Sequence, residues 1–105
     1  MGDPGRSGDA LKQLREVVQL KSGDANLHAL ISQVLAGTGQ LQQAIDEQNQ
    51  ALRLQPHDAD GWNNLGVLQA RAGKPVAARA SFQHALQLAP DHAQARTNLA
   101  RLPAP

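Results

Sequence analysis

The sequence predicts an all-α chain, an α-α superhelix (solenoid) of antiparallel helix hairpins, and three observations carry that expectation. The first is a repeat: residues 25–58 set over 59–92 align Ala25 with Ala59, Gly39 with Gly73, Ala44 with Ala78 and Ala51 with Ala85, a period of 34 residues. A period in this range marks stacked supersecondary units, none of which can bury its apolar face alone. The second is the patterning within a unit, where Leu27, Leu30, Ile31, Val34 and Leu35 recur at three- and four-residue steps, as do Leu41, Ala44, Ile45, Gln48, Ala51 and Leu52. Such spacing lays a stripe along one side of a helix. The third is composition: one Trp, one Phe and no Tyr in 105 residues leave a core of Ala, Leu, Val and Ile, which suits helices packed at close range.

Taken in order, residues 1–8 are rich in Gly, Pro, Asp and Ser and are expected to form a flexible tail. A half repeat follows over 9–24, with a helix over 9–21 whose stripe is Leu11, Leu14, Val17 and Val18. The first full repeat, 25–58, holds helices over 25–37 and 41–55, and the second, 59–92, holds helices over 59–72 and 75–89. A capping helix over 93–102 places Ala95, Leu99 and Leu102 on one face, and 103–105 is a second tail. Asp24, Asp58 and Asp91 stand where N-caps belong, Asp91 with Gln94 at the spacing of a capping box. Gly39 and Gly73 sit where a left-handed residue ends the first helix of each repeat, Pro75 suits the first turn of the next, and Pro56 and Pro90 end the second helix. Ser32 or Gly66 is expected to face Ala44 or Ala78 so that the paired backbones approach closely, and Trp62 and Phe82 are expected to share the core of the second repeat.

Several kinds of chemistry find no support in these residues. The absence of Cys removes disulfides, thiolate metal sites and thiol catalysis, and a net charge of +1 supplies no strong field for nucleic acid or an anionic membrane. No window approaches the roughly 18 apolar residues of a membrane span, and no secretory signal is legible, so membrane insertion is not expected and a cytoplasmic location is. His57 and His92 fall in loops beside Asp58 and Asp91, but no HExxH spacing, phosphate loop or nucleophile elbow accompanies them, so they read as solvated rather than as a metal or acid–base site. Arg71, Lys74, Arg79, Arg96 and Arg101 make the second half basic, yet without interleaved aromatics this reads as a solvated face and not as an RNA surface. The expectation is a protein with no enzyme activity, cofactor, metal or nucleic-acid partner.

The run Trp62-Asn-Asn-Leu65-Gly66, followed by Ala78, Phe82, Ala85 and Pro90, resembles the tetratricopeptide repeat signature. The first full repeat keeps Gly39, Ala44, Ala51 and Pro56 and departs at His28 and Gln48, while Leu35 and Gln69 stand where the family often has Tyr. The resemblance spans 9–102 and amounts to about 2.5 to 3 tetratricopeptide repeats. It implies a non-catalytic protein–protein interaction scaffold whose concave groove, lined by the first helix of each repeat, holds a peptide or helix of a partner protein. On this sequence the groove positions would be Asn26, Ala29, Leu30, Gln33 and Gly37, then Asp60, Asn63, Asn64, Val67 and Arg71, then Gln94, Thr97, Asn98 and Arg101. Asn64 and Asn98 lie one period apart and suit the peptide groups of an extended ligand, or are ordinary exposed amides. The family's clamp for a C-terminal carboxylate is not matched, because Ala29, Gln33, Gln94 and Asn98 stand at its positions and only Asn64 survives. The competing expectation is a structural or self-associating module, a homodimer through Leu11, Leu14 and Val18, whose helix would lack a preceding neighbour.

Overall fold

The computed structural model describes residues 24–103 as five helices: α1 (Ala25–Gly37), α2 (Leu41–Leu54), α3 (Ala59–Arg71), α4 (Pro75–Leu88) and α5 (Ala93–Arg101). They form two antiparallel hairpins, α1 with α2 and α3 with α4, stacked through α2 and α3, and α5 closes over the second hairpin. This is the all-α helical-repeat solenoid that the period requires. The helix expected over 9–21, and with it Leu11, Leu14 and Val18, lies outside the described residues.

Each hairpin turns on the same local device. After α1 the Gly39 N–H bonds the Ala36 carbonyl and the Gln40 N–H reaches back to Leu35 at 2.9 Å; after α3 the Gly73 N–H bonds Ala70 and the Lys74 N–H reaches Gln69 at 2.8 Å. This Schellman arrangement needs a left-handed residue, and Gly39 and Gly73 supply it at φ of 81° and 76°. Pro75 opens α4, and α2 and α4 each stop two residues before a proline, Pro56 and Pro90.

The caps divide. Asp24 accepts from the N–H groups of Asn26 and Leu27, whereas Asp58 makes no such bond. Asp91 is not a cap: one residue on, His92 takes that place, its Nδ1 accepting the Ala95 N–H at 3.1 Å. The ring nitrogen reaches the first-turn donor that a carboxylate was expected to meet.

A continuous core joins the first hairpin to α3 through Ile31, Leu35, Ala44, Ile45, Leu52, Leu65 and Leu68. Ser32 does face Ala44, donating its hydroxyl to the Ala44 carbonyl at 2.8 Å. Gly66 lies against Phe82: a Cβ at Gly66 would stand 2.5 Å from the Phe82 Cε1. The two large rings make different contacts. Phe82 is buried against Gly66, while Trp62 is half-buried, donates its indole N–H to the Pro56 carbonyl at 2.8 Å and stacks on His84 at a ring separation of 4.1 Å. The bare glycine backbone draws the phenyl ring in, and the indole N–H is satisfied only at the loop.

Candidate functional site: the concave groove

The first helix of each hairpin, with α5 continuing the row, turns the same positions outward on every period. Gln33, Val67 and Arg101 fall in one column, Leu30, Asn64 and Asn98 in another, and Gly37 with Arg71 in a third. Gln33, Gly37, Asn64, Arg71, Gln94, Thr97 and Arg101 are exposed, and Val67 is half-buried among them.

Between α1 and α3 the surface opens into a hollow of about 310 Å³. Gln33, Gly37, Asn64, Val67 and Arg71 form its walls, and Ser32, Ala36, Gln48 and Leu68 its floor. A second, shallower hollow is bordered by Asp60, Asn64, His92 and Gln94, and a third runs along α5 past Thr97, Asn98 and Arg101. Asn64 stands at the boundary of the first two. Leu30 is 44% exposed, the largest apolar side chain in its column, but it borders none of these hollows.

Hydrogen bonds fix several of these side chains. Arg71 donates from Nη2 to the Ala36 carbonyl at 3.3 Å, across from α3 to the end of α1. The carbonyls of a helix's last turn carry partial negative charge, so a guanidinium is well placed there. Asn63 is not a groove residue: it is buried at 3% exposure and accepts the Asn98 amide N–H at 3.0 Å. The expected asparagine pair is therefore unequal, since Asn64 is exposed while Asn98 spends a donor holding α5 to α3. Asn63 follows Trp62 by one residue and precedes Asn64, so its helix angle turns it toward α5 and away from solvent.

Two further contacts escaped the sequence pattern. Gln48 is buried and donates to the Gly61 carbonyl at 3.1 Å, linking α2 to α3 beneath the first hollow. His92 meets Asp60 and not its neighbour Asp91: Nε2 lies 2.7 Å from the Asp60 carboxylate. Because Nδ1 already accepts a backbone N–H, the proton sits on Nε2 and is donated to Asp60. A Gln at the position of Phe82 was the available signal for the first contact; the second joins the two ends of one repeat, 32 residues apart, and leaves no short-range trace. Among the described residues no group of three His, Asp or Glu side chains could hold a metal ion, and no helix is long and apolar enough to cross a membrane.

Antiparallel hairpins stacked side by side through α2 and α3 define a helical-repeat protein. The chain belongs to the tetratricopeptide repeat family, whose model "Tetratricopeptide repeat" matches residues 31–103. It is 33% identical over 90 residues to "Tetratricopeptide repeat protein 33" of Xenopus laevis, covering 86% of this chain and 35% of that protein. It is 35% identical over 100 residues to "Protein O-mannosyl-transferase TMTC1" of Homo sapiens, covering 89% of this chain and 11% of that protein. The chain thus spans about a third or less of the length of these relatives. Its fold matches that of MamA with a TM-score of 0.83 at 22% identity, covering 90% of this chain and 56% of MamA. The family's fold is that of a scaffold for protein–protein interaction.

Proposed function

We infer that this chain is a non-catalytic binding module that holds a peptide or helix of a partner protein in the concave groove. One observation carries the reading: the hollow between α1 and α3 is walled by an exposed amide, Asn64, a half-buried apolar residue, Val67, and a guanidinium, Arg71, over a floor with no unsatisfied buried polar side chain. An amide matches peptide N–H and C=O groups, and Val67 with the stem of Arg71 offers apolar contact. The row of hollows along α1, α3 and α5 suits an occupant that crosses the hairpins.

The test is site-specific crosslinking. A photoreactive side chain at Val67 should capture a partner that the same group at Val76, 81% exposed on α4, does not. Asn64→Arg should abolish capture while leaving helix content unchanged. Equal capture from both positions overturns the reading.

A further inference from the structure

Charge is segregated along the described chain. Residues 24–60 carry Asp24, Asp46, Glu47, Asp58 and Asp60 against the single cation Arg53, whereas residues 61–103 carry Arg71, Lys74, Arg79, Arg96 and Arg101 against Asp91 alone. The two contacts between a carboxylate and a basic side chain among the described residues both use a histidine, His28 with Glu47 and His92 with Asp60. None of the five cations of the second half therefore meets a carboxylate within the described fold.

Three of these cations are taken up away from the groove. Lys74 donates to Gln42, Arg79 to the Pro103 carbonyl and Arg96 to the Pro90 carbonyl. The other two border hollows: Arg71 the first and Arg101 the third. Arg71 spends one N–H on Ala36, and the Arg101 side chain makes no hydrogen bond among the described residues. A guanidinium has five N–H donors in a planar fork that fits a carboxylate with two parallel bonds, so both retain the geometry for such a partner.

We propose that the occupant of the groove is an acidic segment of a partner protein, whose Asp or Glu side chains meet Arg71 and Arg101. The proposal rests on the groove reading above and names the chemistry of what fills it. An extended chain rises about 3.3 Å per residue, so a segment with several carboxylates that crosses from α3 to α5 can offer one to each arginine. Asp60, whose side chain is 83% exposed, borders the middle hollow and repels carboxylates there, confining them to the edge formed by the ends of α3 and α5. Single-stranded RNA would need exposed rings on which to stack its bases. Here the Phe82 ring is buried and the Trp62 ring is covered by His84.

The test selects short peptides from a random displayed library on the purified full chain, with helix content of every variant checked by circular dichroism. Wild type should enrich Asp and Glu. Arg101→Gln, which removes no hydrogen bond seen in the fold, should weaken an enriched peptide about tenfold, and Arg71→Gln with Arg101→Gln about a hundredfold. The Arg71→Glu with Arg101→Glu variant should enrich Lys and Arg instead, and Arg79→Gln or Arg96→Gln should change affinity by less than about twofold. If wild type enriches neutral or basic peptides that Asn64→Arg releases, the groove binds a peptide but the acidic inference falls. If no groove substitution alters the selected peptides, both readings fall. Displacement of an acidic peptide by poly-uridine RNA at lower concentration than by unlabelled peptide also overturns the proposal.

Discussion

Gly66 is a glycine because Phe82 occupies the volume of its side chain. A Cβ there would stand 2.5 Å and 2.6 Å from two carbons of a ring that is 1% exposed. Gly66→Ala should therefore cost about 1–3 kcal/mol in chemical denaturation, an unusual penalty for adding a methyl inside a helix, where Ala is otherwise favoured by about 1 kcal/mol. Removing the ring tests the same contact from the other side: Phe82→Ala should cost about 3–5 kcal/mol by leaving a cavity over Gly66. Because the two residues share one volume, Gly66→Ala should become stabilising, by up to about 1 kcal/mol, in the Phe82→Ala background. Additive losses would show that they do not touch.

Between the two hairpins, the same positions are filled by different pairs. Gly66 and Phe82 in the second correspond, one period earlier, to Ser32 and Gln48. Ser32 brings the Cβ that a phenyl ring cannot accept, and the slimmer Gln48 lies there instead, its amide satisfied by Gly61. Gln48→Phe alone should thus destabilise, and Ser32→Gly should recover most of the loss, a coupling that a double-mutant cycle in urea measures directly. Caps differ between elements as well: Asp24→Ala should cost about 1 kcal/mol, and Asp58→Ala, which breaks no cap bond, less than about 0.5 kcal/mol in the same assay. Helix ends were legible to within a residue because glycine and proline act on their own stretch of backbone. What was not legible depended on partners far along the chain: His92 displaced Asp91 as cap while engaging Asp60, and Trp62 met the His84 ring.

Across the molecule, each hairpin rests only on its neighbours, so the end of the row matters. Ala95 is fully buried against the second hairpin and Asn98 bonds Asn63 beneath it. Deleting 93–105 should lower the unfolding midpoint and produce concentration-dependent light scattering, and a truncated chain of unchanged stability would show that α5 is not part of the cooperative unit. The groove was only partly legible at this scale: the exposed positions on α1 and α3 follow from the period, but Asn63 and the floor residues Ser32 and Gln48 depend on how neighbouring helices are rotated. That rotation has a mechanical side. Aliphatic contacts are non-directional, so two hairpins joined by them alone could slide past each other by a small step at little cost. The buried bond from Gln48 to Gly61 acts as a shear pin, because any slip strands an amide and a carbonyl away from water, at a cost of about 1–3 kcal/mol. The position of one hairpin on the other is thus held at this joint by a buried polar bond, with the Arg71 to Ala36 bond spanning the hollow above it.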